Sequence, residues 1–164
     1  MKRLYIVRNA HAAIGALDRE RALDEQGVKE LESVGAQMVA AGMRPNVILT
    51  SGARRSMETA KHIREIFGLL VNVIDIREEL YNADLQKILD ILQSLPDEKN
   101  SVMLIAHNQG VMDLLGSITN SEYKEIPNGS LVVVELRLRH WKDINLNTGR
   151  ELLFLKPQLE NTAS

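Results

Sequence analysis

No cysteine occurs among the 164 residues, which removes disulfide frameworks, thiol nucleophiles and thiolate metal sites and fits a reducing cytoplasm. No apolar run approaches the roughly 20 residues a membrane-spanning helix needs, and the chain enters its first strand at once, without the apolar core of a signal peptide. Neither sign of charge is in large excess: 20 Lys and Arg stand against 22 Asp and Glu, a formal net charge of -2. General attraction to nucleic acid or to an anionic membrane is therefore not expected, and any anion site has to be local. Repeats, low-complexity tracts and linker-like stretches are missing too. The length suits one domain over residues 1–164, burying about two thirds of its unfolded surface. There is no Walker-type glycine-rich loop, and no pair of histidines has a metal-binding spacing. The expectation is a cytoplasmic, single-domain protein with no metal or other cofactor.

What is present is an alternation of strand-like and helix-like segments. An apolar run from Leu4 to Val7 ends in Arg8. After Asp24, Val28, Leu31, Val34 and Met38 fall at helical spacing and Gly42 follows, which predicts a helix over about Asp24 to Ala41. Val47 to Thr50 reads as a strand, followed by Ser51 as a cap and a helix from about Ala53 to Phe67 with Gly68 as its stop. Val71 to Ile74 reads as a third strand, Asp84 caps a helix that Pro96 ends, and Ser101 to Ala106 is a fourth strand before a helix over Val111 to Ile118. Strands separated by helices predict right-handed crossovers and a mostly parallel sheet covered on both faces, a three-layer α/β/α arrangement. The tail differs: Leu131 to Leu136, the stretch around Trp141 and Leu152 to Leu155 follow one another without helices, so antiparallel edge strands are expected there. Residues 158–164 read as a frayed end.

Three polar groups follow these strands. Arg8 ends the first, Ser51 with Arg54 and Arg55 follows the second, and His107 follows the fourth. In a parallel sheet the carboxyl ends of strands share one edge, so these groups converge although distant in sequence. Guanidinium forks match phosphate oxygens, and the amino end of the helix after Ser51 adds N–H groups and a favourable dipole. Taken singly each has an ordinary reading: a strand-end arginine is usually a surface residue, Arg54 and Arg55 with Glu58 make a solvated helix face, and a lone histidine is usually satisfied by backbone. Their joint occurrence points to phosphoryl binding. His62 and His140 lie beside no other candidate group, while His11, two residues past Arg8, is ambiguous.

The arrangement resembles the histidine phosphatase superfamily, in its small SixA-type phosphohistidine phosphatase branch, from about Lys2 to Leu136. That family carries an Arg-His pair after its first strand, matched by Arg8-Asn9, and a stretch similar to Arg-Pro-Leu-Thr-x-x-Gly, matched by Arg21 to Gly27. Its Ser-Pro-x-x-Arg-x-x-x-Thr-Ala segment is matched by Ser51 to Ala60, a register that makes Arg55, and not Arg54, the phosphate-binding arginine. A later His-Asn is matched by His107-Asn108, and Glu78 to Tyr81 resembles a segment that enters the pocket. The resemblance implies a phosphoglycerate mutase-like fold. It also implies a two-step transfer: a histidine at position 9 attacks phosphorus, water hydrolyses the phosphohistidine, and Arg8, Arg55 and His107 hold the equatorial oxygens. Glu79 is the first candidate for the acid that protonates a leaving oxygen, with Glu78 and Asp84 behind it. The implied partners are a protein phosphohistidine or a small phosphomonoester, and inorganic phosphate. The short chain, without the insertion that covers the pocket in larger relatives, favours an open site that admits a protein.

Position 9 departs from this pattern. Asn9 offers a hydrogen-bonding amide but no ring nitrogen able to accept a phosphoryl group, so the chain is expected to be nearly inert. His11 lies beyond the strand end, displaced by several ångströms where in-line attack tolerates about 1 Å. Two classes stay open: a phosphatase scaffold whose nucleophile is replaced, and a pseudophosphatase that binds phosphorylated ligands without turnover. A two-component receiver alternates similarly but needs an acidic pair after strand one, where this sequence has Arg8-Asn9.

Overall fold

Alternation along the first strand sets the layering. In the computed structural model, which describes residues 1–15 and 17–159, β1 (Lys2–Arg8) sends Leu4 and Ile6 into one buried cluster and Tyr5 and Val7 into the other. The same division recurs in β2 (Val47–Thr50), where Leu49 and Ile48 part company, and in β4 (Ser101–Ala106), where Leu104 faces one core and Met103 and Ile105 the other. Strands with apolar side chains on both faces have to be covered twice, and two pairs of helices do so. α1 (Glu25–Ala40) and α2 (Arg54–Phe67) close the face of Tyr5 through Leu31, Val34, Met38, Ala60 and Ile63. α3 (Leu85–Gln93) and α4 (Asn108–Thr119) close the face of Leu4 through Ile88, Leu92, Leu114 and Ile118.

The six strands lie in the order β3-β2-β4-β1-β5-β6, where β3 is Ile74–Ile76, β5 Leu131–Leu136 and β6 Gly149–Leu155. The first four run parallel, and β5 and β6 add antiparallel beyond β1. This is the expected three-layer fold with antiparallel C-terminal strands.

Two helix caps follow the sequence signals and one does not: α2 starts after Ala53 without a side-chain cap, because Ser51 Oγ accepts from the Ala53 N–H at 3.3 Å, ahead of the first helical turn. Asp24 accepts from the Gly27 N–H at 2.9 Å and Asp84 from the Lys87 N–H at 2.9 Å, each satisfying a donor that the first helical turn leaves free. Four segments differ from expectation. Val71–Val73 forms a 3-10 turn, so β3 begins only at Ile74, where the chain first pairs with Ile48. Trp141–Asp143 is also a 3-10 turn and not a strand: the fully buried indole donates Nε1–H to the Lys99 carbonyl at 2.7 Å, and Asp97 accepts the Trp141 N–H at 3.0 Å. Helix α4 starts at Asn108, three residues earlier than expected, with His107 at its N-cap position and no side-chain cap. Gln158 is tied to Ser33, its N–H donating to Ser33 Oγ at 2.7 Å, whereas residues 160–164 of the expected frayed end lie outside the described residues.

Among the described residues no helix is long and apolar enough to cross a membrane.

Candidate functional site

Because β2, β4 and β1 are adjacent and parallel, their carboxyl ends form one crevice, the place where open α/β sheets hold ligands. Arg8 is the last residue of β1, His107 follows β4, and Arg55 stands in the first turn of α2, the helix that follows β2. Together with Asn9 they line one cavity of about 240 Å³, to which His11, Arg21, Asn108 and Asn128 also contribute.

Asn9 forms the floor. It is 6% exposed, its N–H donates to the Ala106 carbonyl at 3.1 Å, and both ends of its amide are used: Oδ1 accepts from Ser56 Oγ at 2.8 Å and Nδ2 donates to His107 Nδ1 at 3.2 Å. Arg55, 8% exposed, donates through Nη1 to the Asp18 carbonyl at 2.7 Å and through Nη2 to Asp18 Oδ2 at 3.2 Å. The same Nη2 points at His107 Nδ1, 3.1 Å away.

Those contacts fix the histidine's protonation. A guanidinium can only donate, so His107 Nδ1 accepts, and the proton of the neutral ring sits on Nε2. Burial, and after it the Arg55 charge, push the His107 imidazole below its ordinary range, against a smaller opposing effect of Asp18. Tyr81 packs edge-on to this ring at 5.8 Å between centroids and donates its hydroxyl to Asp18 Oδ2 at 2.7 Å. That hydrogen bond is the main reason the Asp18 carboxyl lies below the usual range, with Arg55 adding to it and desolvation opposing. Arg8 donates to the Ile126 carbonyl at 2.5 Å, and although burial lowers its pKa, Glu30 and Glu125 counter this and a guanidinium stays charged.

His11 also reaches the cavity. Its Nδ1 pairs with Asp24 Oδ2 and its N–H donates to the buried Glu30 at 2.8 Å, so the loop after β1 is anchored to the first turn of α1. Gly27 permits that approach: a Cβ there would meet the His11 carbonyl oxygen at 2.2 Å. Arg54, one residue before Arg55, turns the other way and pairs with Glu58 at 2.8 Å on the exposed face of α2.

The acids expected from the sequence lie elsewhere. Glu79 is exposed on the 3-10 turn Glu78–Leu80, Glu78 pairs with Arg19, and Asp84 caps α3; none of the three lines the cavity. The carboxylate that engages the cavity's arginine is Asp18, which sequence reasoning missed: it sits on a 3-10 turn, Asp18–Glu20, in a loop with neither periodicity nor a strand end to mark it. Arg21 and Ser56 were within the motif stretches but carried no distinguishing signal of their own. His62 and His140 lie away from the cavity, the latter paired with Asp97 at 2.8 Å. Among the described residues no cluster of three or more His, Asp or Glu side chains is placed to hold a metal ion.

Comparison with known proteins bears on the fold. No family model matches the sequence, and no curated protein matches it. Among solved structures, the protein histidine phosphatase SixA complexed with tungstate superposes with a TM-score of 0.82 at 21% identity, over 94% of this chain and 97% of the other. SixA of Agrobacterium tumefaciens gives 0.79 at 28% identity, over 95% and 99% of the two chains. A mycobacterial glucosyl-3-phosphoglycerate phosphatase gives 0.66 at 16% identity, over 93% and 98%. The sheet order and the superpositions give the chain a phosphoglycerate mutase-like α/β fold, with SixA phosphohistidine phosphatases among its structural neighbours.

Proposed function

We propose that the cavity binds the phosphoryl group of a protein phosphohistidine or a small phosphomonoester, and that the scaffold is a phosphatase lacking only its nucleophile. The convergence of Arg8, Arg55 and His107 around Asn9 carries this reading. Two guanidiniums and an imidazole around one small polar cavity supply forked, charge-assisted donors for three equatorial oxygens. Position 9 supplies the atom below phosphorus. With histidine there, a ring nitrogen forms the N–P bond as the leaving group departs with the phosphorus-bound electron pair, and water then cleaves the N–P bond to release phosphate. A phosphohistidine leaving group needs little acid assistance, which suits a cavity that neither Glu79 nor Glu78 lines.

Asn9 cannot take this role, and one observation favours the second reading, a binding protein without turnover: Ser56 and His107 satisfy both ends of the Asn9 amide, so the floor is fitted to asparagine. The common element is oxyanion recognition, which isothermal titration with phosphate and vanadate tests. Saturable one-to-one binding that Arg55→Ala weakens is expected. Absence of binding to the unaltered chain would overturn both readings.

A further inference from the structure

Beside the anion cavity, the outer side of α2 and the edge strand β3 enclose a second, larger depression of about 610 Å³ with a different character. Its floor is apolar: Ile74 and Ile76, two residues apart and so on one face of β3, with Val71 from the preceding turn. Its wall is one stripe of α2, on which Met57 stands among Arg54, Lys61 and Arg64. Val71 is 72% exposed, Ile76 47% and Met57 39%, an unusual concentration of open apolar surface. β3 pairs only with β2 among the described strands, so nothing of this chain's described residues covers the groove.

Charge narrows the occupant. Three cations and one carboxylate, Glu58, line the groove in a chain whose formal net charge is -2. Glu58 is committed to Arg54 and Arg64 pairs with Glu65 at 3.7 Å, which leaves Lys61 as the lining cation without an ion-pair partner among the described residues. Position narrows it further. Arg54 lines the groove and Arg55, next in sequence, lines the anion cavity, so the two depressions lie on either side of the start of α2. From Arg54 to Arg64 the stripe runs about 15 Å, the length of about ten helical residues. β3 has three residues, too few to template an added strand, whereas an apolar floor beside a helix suits the apolar seam of another helix.

We infer that this groove docks an amphipathic helix, apolar on its inner seam and acidic on its flanks, belonging to the protein whose phosphohistidine enters the anion cavity. The inference rests on the phosphoryl-binding reading and selects a protein over a small phosphomonoester as the ligand. The test uses a stapled, fluorescein-labelled helical peptide of about ten residues, with a leucine seam and flanking glutamates. It is made with and without a phosphoryl-triazolylalanine at one end as a stable phosphohistidine mimic. Fluorescence anisotropy measures peptide affinity, and calorimetry measures phosphate affinity on the same proteins.

Met57→Glu and Lys61→Glu, both at exposed or half-exposed positions, should each weaken the peptide at least tenfold and leave phosphate affinity unchanged, which also reports that the fold is intact. Arg55→Ala should remove the gain contributed by the mimic while the unphosphorylated peptide still binds. Failure of the unaltered chain to bind either peptide, or equal affinity in the groove variants, would overturn the docking site while phosphate binding stood. Loss of phosphate binding by the unaltered chain would instead overturn the cavity reading. Concentration-dependent dimerisation in sedimentation, abolished by Met57→Glu, would make a second copy the occupant and refute the partner helix.

Discussion

Replacing Arg55 and Arg54 one at a time separates two neighbouring arginines that the helix turns about 100° apart. Arg55 is 8% exposed, and its Nη2 lies 3.1 Å from His107 Nδ1 at the mouth of the cavity. A bound oxyanion there would accept charge-assisted hydrogen bonds in a partly desolvated setting, worth about 1.5–3 kcal/mol. Arg55→Ala should therefore lower phosphate affinity by about 10- to 150-fold. The same change strips Asp18 of its cation and leaves a carboxylate beside the anion, which pushes the loss toward the upper end. Arg54 holds only an exposed ion pair with Glu58, of the kind that contributes about 0.3–0.5 kcal/mol to a helix, so Arg54→Ala should leave phosphate affinity unchanged. Calorimetric titration of both variants in one buffer reads the difference. Equal losses, or a larger loss for Arg54→Ala, would refute the assignment of Arg55 to the oxyanion.

His107 is neutral in the free protein, because burial and Arg55 hold its pKa below the ordinary 6.5; a bound dianion favours the imidazolium, so binding takes up a proton. Affinity for sulfate, whose own charge is constant near neutrality, should rise by up to tenfold per pH unit as pH falls toward the depressed pKa, level off beneath it, and be flat in His107→Gln. The same depressed pKa contributes stability that is present above about pH 6.5 and lost as pH falls through the folded-state value, which thermal unfolding of the unaltered chain against His107→Gln should show. Ser56→Ala leaves Asn9 Oδ1 buried without a donor and should lower unfolding free energy by about 1–3 kcal/mol in urea titrations. Gly27→Ala drives a methyl into the His11 carbonyl and should destabilise by about 1–3 kcal/mol while weakening phosphate binding, because the loop that carries His11 is a wall of the cavity.

The strands that carry the cavity were legible because each is a short apolar run that stops at a polar residue: Val7 before Arg8, Ala106 before His107. The caps Asp24 and Asp84 were legible for a similar local reason, since a short acceptor before a periodic helix satisfies free N–H groups wherever the helix sits. What sequence could not show depends on distant partners. β3 begins at Ile74 because pairing with β2 starts there, although Val71 has equal strand propensity. Trp141 leaves strand geometry because Lys99 and Asp97 satisfy its two N–H groups. Asp18 was missed and Glu79 preferred for the same reason: both are exposed acids on short turns, and only the tertiary position of Arg55 and Tyr81 distinguishes the one that pairs with the cavity's arginine.

Restoring the nucleophile tests the central reading most directly. Hydrolysis of an aryl phosphate by the unaltered chain and by Asn9→His would be followed together, with acid-quenched samples assayed for phosphate attached at position 9. Negligible turnover by the unaltered chain is expected, with hydrolysis and an acid-labile phosphoryl adduct in Asn9→His. An Asn9→His variant that binds phosphate normally yet neither hydrolyses ester nor forms the adduct, or an unaltered chain that turns substrate over well, would contradict the claim that only the nucleophile is missing.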